Sequence, residues 1–436
     1  MKKFLALALA LVMALSLAAC GKKADDNKGN GDEAKGSVYY LNFKPEADKA
    51  WQDLAKTYTE KTGVEVKVVT AASGQYDTML TSELDKSAPP TMFQVGNQGA
   101  VNSYGDFCYP LDNTDVMKEM TTQDFNLKNA NGETVSIGYC YEAFGIIVNK
   151  ALLKEAGYEL SDITNFDTLK AVADDIHARS AELGFDAFSS AGLDGSSSWR
   201  FSGHLANMPL YYQFRDDGVT SQPATITDAY LDNFKNIWDL YITDSATTGA
   251  ALLSATGDQA EAEFGEGKAV FYQNGTWEFS NLTSAEKFGM NADDLAMIPI
   301  YCGVDGEEKA GLCAGTENCW AINNESSEED IQATIDFLVW VVTSDEGTTM
   351  LAEQFGPCPF KDAKEPENVF FQDADRYIAE GNYVVTWAFN WTPAVDDWRA
   401  AVVDALTQYT AGTGDWEAVK TAFVQGWATQ YAKENA

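Results

Sequence analysis

The sequence predicts an α/β protein in two lobes, and three observations carry the prediction. Strand and helix signals alternate from residue 38 onward. The chain of 436 residues is long for one hydrophobic core, because single cores stop growing near about 250–300 residues. Its composition, 45% hydrophobic with 12% aromatic residues, is that of a well-cored globular protein rather than a disordered one.

The elements follow in order. Residues 38–43 read as a first strand. Residues 46–61 carry Ala47, Ala50, Trp51, Leu54, Ala55 and Tyr58 at the spacing of one helical face, and Gly63 stops them. Residues 64–69 form a second strand, 75–86 a helix ended by Pro89 and Pro90, and 91–95 a buried strand. This alternation implies a mostly parallel sheet with helices on both faces. Ligands on such sheets bind at loops beyond the carboxyl ends of strands, which nominates Phe43 and Lys44 after the first strand and Asn97 and Gln98 after the third. A second run begins with a strand at 139–148 and a helix at 149–156 that Gly157 caps. A helix at 166–183, a short strand at 187–191 and a glycine- and serine-rich loop at 192–198 come next. A helix at 230–241, a strand at 268–273 and a strand-like stretch at 295–322 continue the pattern. Helices at 328–342, 396–408 and 416–432 finish it.

Before this lies a leader. Residues 1–21 combine Lys2 and Lys3, an apolar run over 4–15, and the ending Leu17-Ala18-Ala19-Cys20-Gly21. That is the pattern of a secretory signal peptide, and it is too short for a membrane span of about 20 apolar residues. The ending resembles a bacterial lipobox, so residues 1–19 are expected to be removed and Cys20 lipidated. Residues 21–36 hold no hydrophobe larger than alanine, so 20–36 read as the lipidated cysteine and a flexible tether. The expected location is the extracytoplasmic face of a cell membrane, held there by lipid.

The formal charge of −36 argues against nucleic acid as a partner, since nucleic acid is met by basic surfaces. Beyond Cys20 stand Cys108, Cys140, Cys302, Cys313, Cys319 and Cys358, an even number that suggests disulfides in an exported chain. Cys302 and Cys313 flank a hairpin around Asp305 and Gly306 and are candidates to bridge; free buried thiols are the alternative. No Cys-x2-Cys pair exists and His177 and His204 are far apart in sequence, so neither a metal nor a cofactor is expected. No Gly-x-Ser-x-Gly, His-Glu-x-x-His or phosphate-binding loop occurs, which disfavours an enzyme. With 66 acidic residues, a glycosidase carboxylate pair remains the rival reading.

Several segments, in this order, resemble the family 1 extracellular solute-binding proteins, the maltose-binding-protein-like receptors of carbohydrate ABC importers. They are Ala143-Phe144-Gly145-Ile146-Ile147-Val148-Asn149-Lys150 through Ala156-Gly157, then Phe264-Gly265-Glu266-Gly267-Lys268-Ala269 with Asn274-Gly275-Thr276-Trp277. Trp320-Ala321-Ile322-Asn323 and Gly356-Pro357-Cys358-Pro359 complete the set. The resemblance covers nearly all of the chain after the tether. It departs at Thr164-Asn165-Phe166-Asp167, where the family usually has Pro-x-Thr-Trp. It implies a type II periplasmic-binding-protein-like fold of two hinged α/β lobes, 37–141 with 300–343 and 146–296 with 347–436. It also implies a monomer that binds a sugar between the lobes and meets the permease subunits of its importer.

A sugar presents a patch of ring C–H groups and an edge of hydroxyls. Aromatic faces suit the first, and carboxylates and amides the second. By resemblance, Trp277 in the Asn-Gly-x-Trp loop is the leading stacking residue, with Trp199 after the flexible loop and Trp398 as further candidates. Glu142 corresponds to a hydroxyl-binding glutamate of the maltose-binding branch. Trp391 is a loop residue and a similar candidate. For Trp398 the core is the competing place, because Val402 and Ala405 on the same helix point inward. These residues, with Phe43, Lys44, Asn97 and Gln98, lead us to expect a receptor for a neutral oligosaccharide, with a polyamine, a peptide or a metal complex as the alternative solute.

Overall fold

The computed structural model describes residues 35–190 and 192–435. The signal peptide, Cys20 and nearly all of the tether lie outside the described residues. Twelve strands are present: β1 (Val38–Asn42), β2 (Val66–Thr70), β3 (Met92–Gln94), β4 (Leu127–Lys128), β5 (Thr134–Gly138), β6 (Glu142–Asn149), β7 (Asp186–Phe188), β8 (Ala269–Gly275), β9 (Leu295–Ile298), β10 (Ala310–Gly315), β11 (Cys319–Ile322) and β12 (Tyr383–Thr386). They form two six-stranded sheets flanked by helices. The first runs β2-β1-β3-β11-β5-β4, and the second β12-β10-β6-β8-β7 with β9 beside β6. The α/β, two-sheet expectation is met.

Both sheets are mixed rather than mostly parallel. β1 is parallel to β2 and β3, but β11 enters antiparallel between β3 and β5. In the second sheet β6 is antiparallel to β8, β9 and β10. The β-α-β-α-β start is parallel as expected. Strands returning from the other lobe arrive in the opposite sense, and local pattern does not reveal them.

The sheets also divide the chain differently from the expected boundaries. The first passage lies between Gly138 and Glu142. The second lies at 316–318 rather than near 300, because β10 pairs with β6 and β12 and so belongs to the second sheet. The third follows Phe360, because Met350, Leu351, Phe355 and Phe360 pack into the first sheet's core while Phe370 packs into the second's. The helix Asp345–Gln354 thus belongs to the first lobe. An alternating apolar run says that a segment is a strand; only its partners say in which sheet.

Local chemistry explains the elements that place the cleft. The helix Asp48–Thr62 buries Trp51, Leu54, Ala55 and Tyr58, the predicted stripe, and ends on Gly63 at φ 72. Trp51 sits within 5.0 Å of Tyr40 and 6.1 Å of Trp320, ring centre to ring centre. Asn149 caps the helix Lys150–Glu155 by accepting the Leu152 N–H at 3.1 Å, which is the work of the Asn in Asn-Lys. Helices Asp345–Gln354, Val369–Ala379 and Ala206–Asp217, the last preceded by a π-helical segment Arg200–Leu205, were not expected. No helix among the described residues is long and apolar enough to cross a membrane.

Two expectations fail in the core. Trp398 is fully buried, packs edge-on against Phe423 at 4.7 Å and donates its indole N–H to the Phe423 carbonyl at 2.9 Å. It is core, as Val402 and Ala405 on its own helix suggested. All six described cysteines are free. Cys302 and Cys313 do not bridge. The turn after Cys302 is held by Glu307, whose carboxylate accepts the N–H groups of Cys302, Gly303 and Val304 at 2.7, 2.9 and 3.3 Å. Cys313 lies in β10 against Phe144, with its sulfur 3.7 Å from that of Met208. Burial raises both thiols, so neither is a thiolate near neutrality.

Replacing Trp398 with alanine should lower the unfolding free energy by about 3–5 kcal/mol, the range for emptying a buried tryptophan site. Denaturant melts of the variant and the parent would measure it, and a loss below about 1 kcal/mol would contradict the core assignment.

Candidate functional site

A cavity of about 800 Å³ opens between the two lobes, within the range of small-molecule sites. The first lobe contributes Phe43, Lys44, Tyr76, Asp77, Asn97 and Tyr104. The second contributes Trp199, Arg200, His204, Trp277, Trp387, Phe389 and Arg399. Glu142, at the first passage, and Glu317, at the second, line it between them.

The centre of one wall is an ion pair. Asn42 ends β1 and turns the chain, its amide donating to the Lys44 carbonyl at 2.8 Å while its side-chain oxygen accepts the Lys44 N–H at 3.0 Å. That turn aims Lys44 at Glu142, with Nζ 2.9 and 3.0 Å from the two carboxylate oxygens. Both side chains are buried. Burial alone would lower the Lys44 pKa, but Glu142 and Glu46 outweigh it and raise the pKa, so the ammonium stays charged.

The aromatic wall forms around this pair. Lys44 Nζ stands 4.9 Å from the Trp277 ring centre, a cation–π distance. Trp277 lies across Gly275, where a Cβ would overlap its ring. Trp199 is 6.1 Å from Trp277, and its N–H donates to the Ser196 carbonyl at 2.9 Å. His204 lies beneath both, stacked on Phe144 at 4.0 Å and joined to the Gln273 amide through Nδ1 at 2.9 Å. Burial, with the charges of Arg399, Arg200 and Lys44, holds His204 well below its usual pKa, so it is neutral. The lobes also touch at the rim, where the Ser73 hydroxyl reaches the Ser196 carbonyl at 3.4 Å.

The structure brings together Trp277, Glu142, Trp199, Phe43, Lys44 and Asn97. Asn97 also caps the helix Gln98–Tyr104 by accepting the Ala100 N–H at 2.8 Å. Three predicted residues are elsewhere. Gln98 begins that helix and points outward to the Lys128 carbonyl at 3.3 Å. Trp391 stacks on Phe214 at 5.6 Å, outside the cavity lining. Trp398 is core, as described. In their place stand Trp387 and Phe389, from the segment just before Trp391, and Arg399, the neighbour of Trp398. The aromatic-rich 387–391 stretch signalled a site, but the choice among its rings depends on the turn Ala388–Trp391.

The cavity is rich in carboxyls. Glu278 is buried beside Glu261 and Glu46, and burial followed by those charges raises it to about 8. Asp77 of the first lobe meets Asp396 of the second. Burial, then contact with Asp396 and its charge, raises Asp77 to about 7 against the pull of Arg399. At neutral pH these carboxyls hold protons that isolated ones would have lost. The site offers aromatic faces and hydrogen-bonding groups of both kinds.

Two lobes, each a helix-flanked sheet, with a polar and aromatic cavity between them define a solute-binding architecture. The family described as bacterial extracellular solute-binding protein matches residues 53–377, and the chain belongs to it. Among solved structures, the solute-binding protein RafE in complex with raffinose matches with a TM-score of 0.72 at 15% identity, covering 92% of this chain and 100% of that one. The GacH receptor of Streptomyces glaucescens matches at 0.66 and 17%, covering 92% and 99%. A Bacillus licheniformis sugar-transporter protein in complex with stachyose matches at 0.67 and 16%, covering 90% and 100%. At these identities the likeness is one of fold. No curated protein matches the chain by sequence.

The Asp77–Asp396 contact gives a pH signature. The folded pKa of Asp77, about 7, lies above the unfolded value of 3.8. Its contribution to stability is therefore fully present below about pH 4 and is lost as the pH rises through 7. Asp77→Asn should melt like the parent at pH 4 and above it at pH 8. Parallel melting profiles for the two proteins would show that Asp77 titrates normally.

Proposed function

We propose that the protein is an extracytoplasmic receptor that captures a neutral oligosaccharide by closing its two lobes and delivers it to an ABC importer. The observation that carries this reading is the pairing of two indoles, Trp199 and Trp277, 6.1 Å apart on one wall of a cavity that also carries hydrogen-bonding side chains. Indole faces take the C–H patch of a sugar ring, and the polar groups take its hydroxyl edge. The volume suits more than one sugar unit, and raffinose, stachyose and acarbose are named with proteins of this fold.

In this reading Trp277, Trp199 and Phe43 supply apolar surface. Glu142, Lys44 and Asn97 bond hydroxyls. Ligand contacts on both lobes favour the closed form because only there are they all made at once. The importer would then distinguish the closed receptor from the open one. A lipid on Cys20 and the tether to residue 36 would keep a monomeric receptor near its permease, with no catalytic step of its own. The excess of carboxyls in the cavity favours one other ligand class, a polyamine, within the same mechanism.

A thermal-shift screen of residues 37–436 against mono- and oligosaccharides and spermidine tests the ligand class. A ligand at 100 times its Kd adds about 2.7 kcal/mol of apparent stability, well within detection. Shifts that grow with sugar chain length support the proposal, whereas a response to spermidine alone transfers it to polyamines. For the sugar that binds, Trp277→Ala should weaken affinity at least tenfold while melting within a few degrees of the parent. Small-angle scattering should show a smaller radius with sugar than without, and tight binding at constant radius would defeat the closure mechanism.

A further inference from the structure

The cavity contains a second polar cluster that the Lys44–Glu142 pair does not explain, and it centres on Arg399. This residue follows Trp398 in the first turns of the helix Val395–Thr410, and a 100° step separates successive residues on a helix. Trp398 therefore enters the core while Arg399 reaches the cavity. The guanidinium lies 5.4 Å from the Phe389 ring centre. On its other side is Gly203, where a Cβ would come within 3.2 Å of Nη2. An aromatic ring and a bare stretch of backbone thus hold the planar fork in place.

What the fork lacks is an acceptor. Among the described residues Arg399 makes no hydrogen bond or ion pair, and its Nε is buried without a partner. Other groups that line the cavity are in the same state, among them the Trp387 N–H, the Gln94 side-chain oxygen and the Thr392 hydroxyl. Leaving several buried polar groups unpaired is costly, and native proteins avoid it unless a ligand or water completes them. The unpaired atoms here are of both kinds, donors on Arg399 and Trp387 and an acceptor on Gln94. A hydroxyl is both donor and acceptor, so it can answer either. Asp77 and Glu317, both raised by burial, lie close enough to feel the opposing pull of the Arg399 charge, and Asp396 adds a third carboxyl. Three carboxyls around one guanidinium make a poor site for an anionic ligand, which would need further cations to hold it.

We propose that Arg399, with Asp77 and Glu317, forms a subsite for two neighbouring hydroxyls of a neutral sugar unit, distinct from the unit that stacks on Trp277. The inference rests on the oligosaccharide reading and deepens it. Guanidinium nitrogens donate to both hydroxyl oxygens in a two-point contact, and the hydroxyls donate in turn to carboxyl oxygens of Asp77 and Glu317. A lysine cannot reproduce the fork.

Calorimetric titrations with sucrose, raffinose and stachyose, and with a xylo-oligosaccharide series of two to five units, test the proposal. Arg399→Ala should weaken the longest sugar that binds at least tenfold and leave the shortest within about twofold, because only the longer ligand reaches both subsites. Arg399→Lys should not restore the loss, and it carries the comparison if the alanine variant is poorly folded. Weakening that is equal at every chain length, or absent at all of them, overturns the subsite. Tighter binding of tri-galacturonate than of any neutral trisaccharide overturns the ligand class. If Trp277→Ala abolishes sugar binding while Arg399→Ala changes nothing, the receptor reading stands and the subsite falls. If no sugar binds the parent protein, both fall.

Discussion

The buried contact between Lys44 and Glu142 is the constraint on which the rest of the cleft depends. Two opposite charges removed from water need each other at hydrogen-bonding distance, because either one alone would be severely penalised. Lys44 comes from the loop after the first strand of one sheet, and Glu142 opens the central strand of the other. Their pairing therefore ties the two lobes together at the floor of the cavity. It also sets what stands above them, since the Lys44 ammonium faces the Trp277 ring. The cleft thus presents aromatic surface beside an already neutralised ion pair.

The same principle of matched charge explains the wider electrostatics. Lys287 pairs with Glu261 at 2.6 Å, which leaves Glu278 next to it without a cation, and Glu278 keeps a proton instead. Asp77, buried against Asp396 across the lobes, is raised in the same way. A cavity with many carboxyls can in this way behave as a weakly charged, hydrogen-bonding surface at neutral pH. Such a surface suits a polyol, which makes the acidic chain compatible with the neutral ligand proposed above.

Glycines shape the site by what they omit. Gly275 lets the Trp277 indole lie flat on its own strand end, and Gly203 leaves room for the Arg399 fork. Neither position is polar or aromatic, so neither draws attention as a site residue. Both decide where a neighbour's ring or guanidinium can rest.

Much was legible in the chain itself. Period-2 and period-3.6 patterns, Gly63 and the Asn149 cap are local effects, so strands 38–42 and 66–70 and the helix from Asp48 appear nearly where expected. The Asn-Gly-x-Trp loop was equally local, and Trp277 lines the cavity. Sheet membership was not local. β10 and β11 are separated by three residues yet lie in different sheets, because their hydrogen bonds go to β6 and β12 in one case and to β3 and β5 in the other. The choice between Trp398 and Arg399 was of the same sort. Adjacent residues on a helix differ by 100°, and only the packing of that helix against Phe423 turns one into core and aims the other at the cavity. The sequence by itself determined the elements and one aromatic anchor. The tertiary structure decided which side chains share the cleft, because that depends on contacts between residues hundreds of positions apart.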